Sequence, residues 1–203
     1  FHFFPLWKRG MKGDLTAFQK AKLLPEKKKE LNAMRIIVPI KQVPETNAVK
    51  MDEVTGTMIR EGVEAIINPL DLYAIEAAIL LREQYGGEVI ALSMGPSKAI
   101  TALKEAIAMG VDRAVLLSHK AFAGSDTWAT SFALATAIRK MGSGSPKGDN
   151  YNFDLVLCGE RATDGDTGQV GPGIASFLNL PVASYVSKIE EVDGKTGRVQ
   201  RLV

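Results

Sequence analysis

Short, unbroken apolar runs alternate along most of this chain with longer segments whose apolar residues recur every three or four positions. The runs are residues 35–40 (RIIVPI), 88–93 (EVIALS), 113–117 (RAVLL) and 153–158 (FDLVLC). Such runs mark strands covered on both faces, as in a parallel sheet. The first helix is expected to open at Asn68-Pro69-Leu70-Asp71, because Asn is a good N-cap and Pro suits the first helical position. It should run to about Gln84, with Leu72, Ile75, Ala78 and Ile79 at helical spacing and Gly86-Gly87 as its stop. A second helix starts at Pro96, places Ile100, Leu103, Ala106 and Ile107 on one side and ends at Gly110. Asp126 can cap a third that continues through Met141, and a fourth follows a glycine-rich loop and ends near Leu178. Residues 51–62 (MDEVTGTMIREG) predict a small hairpin around a Thr-Gly turn. Residues 142–150 (GSGSPKGDN) read as a surface loop. Residues 182–192 and 198–203 read as further strands around Asp193-Gly194.

Repeated β-α units with buried strands imply an α/β fold with a doubly wound, mostly parallel sheet. In such sheets ligands bind beyond the carboxyl ends of the strands, where the strand order reverses. With the order 3-2-1-4-5, the first and fourth strands are neighbours at that point. The loops that follow them are residues 41–46 (KQVPET) and 159–172 (GERATDGDTGQVGP), the two least ordinary stretches of the chain.

The second loop has chemistry suited to a nucleotide. Gly159, Gly165, Gly168 and Gly171 permit close backbone approach. Their amides, with those of Thr167 and Gln169 at the next helix start, can bind phosphate oxygens. Thr163 and Thr167 offer hydroxyls, and Asp164 or Asp166 can accept from ribose hydroxyls or cap the helix. A tight strand-to-helix turn with Asp caps would have the same composition, and the residues alone leave both readings open. Calcium is rejected: Asp164-Gly165-Asp166 starts like an EF-hand, but Gln169 and Ala175 stand where Gly and Glu are needed. There is no GxxxxGK[ST], and no GxGxxG after the first strand.

Composition narrows the chemistry further. Of 203 residues, 46% are hydrophobic and 24% charged, ordinary for a globular protein, and no apolar run approaches a membrane span. Cys158 is the single cysteine, which excludes disulfides and cysteine-based metal sites, and it reads as a small apolar strand-end residue. His2 and His119 lie in no recognisable motif, and His119 reads as a strand-end loop residue. Lys41 reads as a solvated loop lysine, Met94 as core filler beside the crevice and Trp128 as packing. Residues 1–33 carry eight basic and three acidic side chains, whereas residues 34–203 carry seventeen and twenty. The slightly acidic main part argues against nucleic-acid binding. Residues 1–33 are expected to be a leader derived from translated upstream sequence, with Met34 the natural start and residues 34–203 the domain.

Five segments in order carry a family resemblance: Lys41-Gln42-Val43-Pro44, Asn68-Pro69-Leu70-Asp71, Ser93-Met94-Gly95-Pro96, Ala108-Met109-Gly110-Val111-Asp112, and residues 159–172. Residues 34–203 resemble the electron-transfer flavoprotein β subunit. The resemblance implies an adenine-nucleotide α-hydrolase-like fold that holds FAD or, alternatively, AMP. It places the cofactor site at Pro39, Asn68, Pro69, Leu70, Asp71, Met94, Gly159, Glu160, Arg161, Ala162, Thr163, Asp164, Gly165, Asp166, Thr167, Gly168, Gln169 and Val170. It implies an α subunit carrying the redox FAD, a partner dehydrogenase and a cytoplasmic setting. The segments KQVPET, TGTMIREGVEAIINP and DGDTGQVGP are similar to the flavin-bifurcating branch, in which NADH donates and ferredoxin is one acceptor. Family members continue beyond Val203, so the partner-docking loop and the arm that wraps the α subunit are expected to be missing. An AMP- or ATP-binding regulatory module like universal stress proteins is the competing class. An ATP-using enzyme of the related fold is disfavoured, because residues 41–46 contain no glycine for a pyrophosphate loop.

Overall fold

A computed structural model describes residues 2–5, 33–45, 50–51, 58–59, 65–142, 153–192 and 196–202. In chain order the strands are β1 (His2–Pro5), β2 (Met34–Pro39), β3 (Gln42–Pro44), β4 (Lys50–Met51), β5 (Met58–Ile59), β6 (Ala65–Ile67), β7 (Gly87–Met94), β8 (Arg113–Leu117), β9 (Leu155–Cys158), β10 (Val186–Val192) and β11 (Gly197–Arg201). The helices are α1 (Pro69–Tyr85), α2 (Ile100–Ala108), α3 (Thr127–Gly142) and α4 (Val170–Leu178).

The main sheet runs β1-β9-β2-β7-β8. β2 pairs parallel with β7 on one side and with β9 on the other, and β7 pairs parallel with β8. The four predicted strands therefore lie in the expected order 3-2-1-4, with the reversal at β2. The fifth place differs. It is held by β1, antiparallel to β9, and not by residues 182–192. Those residues instead form β10, which pairs antiparallel with β11 in a separate ribbon. A sequence pattern shows that a segment is extended, but the partner it finds is set by long-range packing.

Side chains alternate across the sheet as the pleat requires. Ile36, Val38, Val89, Ala91, Leu155 and Leu157 face one core, with Ala74, Ile75 and Ala78 of α1 and Leu103 and Ala106 of α2. Ile37, Ile90, Leu92, Val156 and Cys158 face the other, with Leu134 and Ile138 of α3 and Ile174 and Leu178 of α4. Both faces are covered, which is why the runs carry no polar alternation. Burying one such Ile or Leu stabilises the fold by roughly 1.5–3 kcal/mol.

The helix boundaries follow their local signals. Pro69 opens α1, and Gly86, at a φ of 76° that favours glycine, closes it. Asp126 caps α3 by accepting from the Ala129 amide at 2.8 Å. In α2 the expected buried side is shifted: Ala102, Leu103 and Ala106 are buried, whereas Ile100 and Ile107 are exposed. The three residues before α2 form a 3₁₀ turn, so the α-helix starts at Ile100 and not at Pro96. The predicted hairpin near residue 55 appears as the antiparallel pair β4–β5. Its Thr-Gly turn, Asp193-Gly194, Thr46, the loop at 143–150 and residues 6–32 of the leader lie outside the described residues.

Candidate functional site

At the reversal point, the carboxyl ends of β2, β7 and β9 and the segment between β8 and α3 surround a cavity of about 420 Å³. Small-molecule sites span roughly 300–1,000 Å³, so this one suits a ligand of nucleotide size. Of the residues singled out in the sequence, Pro39, Asp71, Met94, Gly159, Glu160, Arg161, Ala162, Gly165, Asp166, Thr167, Gly168, Gln169 and Val170 line it. Asn68, Pro69, Leu70, Thr163 and Asp164 are not among its lining residues.

Three of those five, Asn68, Thr163 and Asp164, brace the surrounding loops instead. Asn68 is buried and occupies the N-cap position of α1, yet its side chain does not cap the helix. Its Nδ2 donates to the Arg161 carbonyl at 2.8 Å, and its Oδ1 accepts from the Thr163 amide at 3.1 Å. Asp164 does not meet the cavity: it pairs with Lys41 Nζ at 2.6 Å, tying the loop after β2 to the loop after β9. Both partners are partly exposed, so the pair contributes little stability and exchanges readily. Asp166, with a left-handed backbone (φ 56°), pairs with Arg161 Nε at 3.1 Å. Neither aspartate caps α4. Its N-cap residue is Gln169, which makes no side-chain capping bond.

The backbone of the loop is shaped for close approach. A Cβ on Gly159 would collide with Asp71 Oδ1 and come within 3.0 Å of the Asp71 amide. Gly168 has φ +62°, a conformation that costs other L residues about 1–2 kcal/mol. Gly165 has open space around it. The first amides of any helix lack intrahelical acceptors, and Gln169, Val170 and Gly171 at the start of α4 line the cavity. Uncapped amides there suit an anionic oxygen.

Acidic side chains outnumber basic ones around the cavity: Asp71, Asp126, Glu160 and Asp166 against Lys41 and Arg161. All four acids are engaged, Asp71 accepting from the Lys41 amide at 2.8 Å and Glu160 pairing with Arg161 Nε at 3.7 Å. Asp126 caps α3 and Asp166 pairs with Arg161. Burial pushes the Asp71 carboxyl up to about 7, against the opposing hydrogen bonds from the Lys41 amide and the Asn68 side chain and the Lys41 charge. Near neutral pH it is therefore partly protonated. Burial, and then the Asp71 charge, push the Cys158 thiol up, which makes it an unreactive wall residue.

One wall was not singled out as site-forming in the sequence. Phe122, Gly124, Ser125, Asp126, Thr127, Thr130 and Leu134, from the end of β8 into α3, line the cavity opposite the glycine-rich loop. Thr127 Oγ1 lies 3.5 Å from Thr167 Oγ1, so a hydroxyl at the start of α3 and one on the glycine-rich loop converge. Position supplied the missing signal: this segment also follows a strand's carboxyl end and starts a helix with an Asp-Thr pair. His119 and Trp128 stay outside. His119 Nδ1 accepts from the Ala121 amide at 3.1 Å, and Trp128 packs edge-on against Phe177.

Comparison with known proteins gives a consistent result. The family model described as the electron transfer flavoprotein domain matches residues 55–203. The chain is 52% identical over 168 residues to the electron transfer flavoprotein subunit beta of Thermoanaerobacterium thermosaccharolyticum, covering 83% of this chain and 60% of that protein. It is 51% identical over 172 residues to Protein FixA of Azorhizobium caulinodans, covering 83% and 59%. It is 52% identical over 163 residues to the caffeyl-CoA reductase-Etf complex subunit CarD of Acetobacterium woodii, covering 80% and 59%. The chain thus spans about three fifths of the length of these relatives. Among the described residues no helix is long and apolar enough to cross a membrane. A doubly wound sheet with a nucleotide-sized cavity at its reversal point, matched by a family model over most of its length, shows that the chain belongs to the electron transfer flavoprotein domain family and resembles its β subunits.

Proposed function

We propose that this chain is the nucleotide-holding β part of an electron transfer flavoprotein and that its cavity takes the adenosine phosphate portion of FAD. The observation that carries the reading is the cavity itself, closed on one side by uncapped α4 amides and on another by the Thr127 and Thr167 hydroxyls. Those groups would hold phosphates, Lys41 would leave Asp164 to meet a phosphate charge, and Pro39, Ile40, Met94 and Leu134 would offer apolar contact to a base. The flavin, when bound, supplies the redox chemistry, and the chain supplies binding and electrostatics. No side chain acts as acid or base in this reading.

The wider role follows from the relatives. Paired with an α subunit, the protein would pass electrons between NADH or an acyl-CoA-type dehydrogenase and an acceptor such as ferredoxin or quinone. The similarity to CarD, named as part of a reductase–Etf complex, supports a CoA-thioester reductase as partner. FAD is preferred to AMP because three segments are similar to the bifurcating branch. The test is flavin content of the chain purified with its α subunit after reconstitution with FAD. Close to two flavins per pair, bleached by NADH, supports the reading. One flavin with stoichiometric AMP and no response to NADH places the protein in the simple relay class. Absence of any adenine nucleotide from the β part overturns the site.

A further inference from the structure

The nucleotide loop is closed on itself by a turn in which the Gly165 and Asp166 amides donate to the Ala162 carbonyl at 3.3 and 2.8 Å. Asn68 grips the loop on either side of that turn's acceptor, through the Arg161 carbonyl and the Thr163 amide. Its own backbone is held as firmly. The Asn68 amide donates to the Lys41 carbonyl at 2.8 Å, and its carbonyl accepts from the Asp71 amide at 2.8 Å. One residue that is 1% exposed thus joins the loop after β2, the start of α1 and the loop after β9. Arg161 and Ala162 line the cavity, and Asn68 does not. A helix-capping role would need none of this, and the side chain caps nothing.

We propose that Asn68 is a positioning residue: its buried carboxamide holds residues 161–163 in the arrangement that accepts the nucleotide, without touching the ligand itself. The inference rests on the reading of the cavity as a nucleotide site. The chemistry is specific to a group that both donates and accepts. A carboxylate could accept from the Thr163 amide but would face the Arg161 carbonyl, lone pair against lone pair. A protonated carboxyl restores the pattern, with its carbonyl oxygen accepting and its hydroxyl donating. The charged or titratable groups facing this position are Asp71 on α1, Lys41 after β2, and Glu160, Arg161 and Asp164 on the loop. Asp71 accepts a hydrogen bond from the Asn68 side chain, so its own titration changes in both variants, and affinities are compared with wild type and between the two variants at each pH.

The experiment measures AMP and FAD binding to the full chain by titration calorimetry at pH 8 and pH 5.5, with melting temperature recorded alongside. Asn68→Ser removes the bridge without adding charge, and Asn68→Asp makes it conditional on a proton. Both are expected to weaken binding at pH 8 by about tenfold or more, the scale set by losing hydrogen bonds that order the loop. At pH 5.5 Asn68→Asp should recover toward wild type, while Asn68→Ser should not. Folded variants that bind within about twofold of wild type at pH 8 overturn the proposal, as does a loss in Asn68→Asp that lowering the pH leaves unchanged. If neither variant folds, the role is structural and the proposal is likewise overturned. If the wild-type chain itself binds neither probe, the nucleotide reading fails and this inference fails with it.

Discussion

Asp71 is the residue where burial and charge conflict most directly. The residue is 6% exposed and its carboxyl pKa is raised from 3.8 to about 7, chiefly by desolvation. The folded state therefore holds a proton that the unfolded state has already released. The associated stability is fully present below pH 3.8, erodes as pH rises, and is gone above about 7. The full difference is on the order of 4 kcal/mol. Asp71→Asn cannot ionise. Its stability relative to wild type should therefore rise between pH 5 and pH 8, read by chemical denaturation at each pH, and a difference that stays flat would contradict the assignment. The glycines give a second, graded prediction. Gly159→Ala meets Asp71 directly and should disrupt the loop and nucleotide binding together. Gly168→Ala meets only ordinary contact, 3.6 Å from the Glu160 carbonyl, so its cost is backbone strain of about 1–2 kcal/mol. Gly165→Ala enters open space and should be tolerated. Melting temperature and nucleotide affinity across the three variants test this order, and an equal loss at all three would refute it.

Between elements, α3 and α4 approach each other closely beside the site. These helices carry the two hydroxyl- and amide-bearing walls of the cavity. A Cβ on Gly173 would strike Ser131 Oγ and come within 2.8 Å of Ser131 Cβ. Ser131 is buried and donates to the Thr127 carbonyl at 2.7 Å, so it cannot swing aside without losing that bond. Overpacking of this kind costs about 1–3 kcal/mol. Gly173→Ala should therefore destabilise the protein and spread Thr127 from Thr167, weakening nucleotide binding. Adding Ser131→Gly should recover part of the loss, because it removes both clashing atoms. Strict additivity in the double-mutant cycle would mean that the two residues do not press on each other. The spacing that marks α3 and α4 as helices says nothing of this contact, which depends on where two separate helices cross. The same limit explains α2. Its helical spacing was legible, but which residues faced inward depended on how the helix packs against β6, β7 and β8.

For the whole molecule, the division into a leader and a domain at residues 34–203 remains a proposal, and β1 refines its test. His2–Pro5 covers the edge of β9, a strand buried along its length. Deleting residues 1–33 should leave the β2–β9 sheet folded and able to bind nucleotide. Uncovering that edge should lower the melting temperature by about 2–4 °C, the shift expected for roughly 1 kcal/mol in a domain of this size. It should also raise the tendency to aggregate, since an open strand edge recruits other chains. An unchanged melting temperature would mean that β1 adds nothing. Collapse of the fold would remove the domain boundary at residue 34.

The sequence by itself determined the order of the four central strands and the four helices, the parallel character of those strands and the end of the sheet where a site must lie. Each of these follows from local pattern: apolar runs without alternation, caps at Pro69 and Asp126, and a glycine-rich loop after a buried strand. Only the tertiary structure decided that β1 and not β10 stands beside β9, that residues 122–134 complete the cavity, and that Asn68 braces a loop and does not cap a helix. These depend on contacts between residues far apart in the chain, such as Asn68 with Arg161 and Thr127 with Thr167. The energy of such contacts depends on distances that only the packed fold creates.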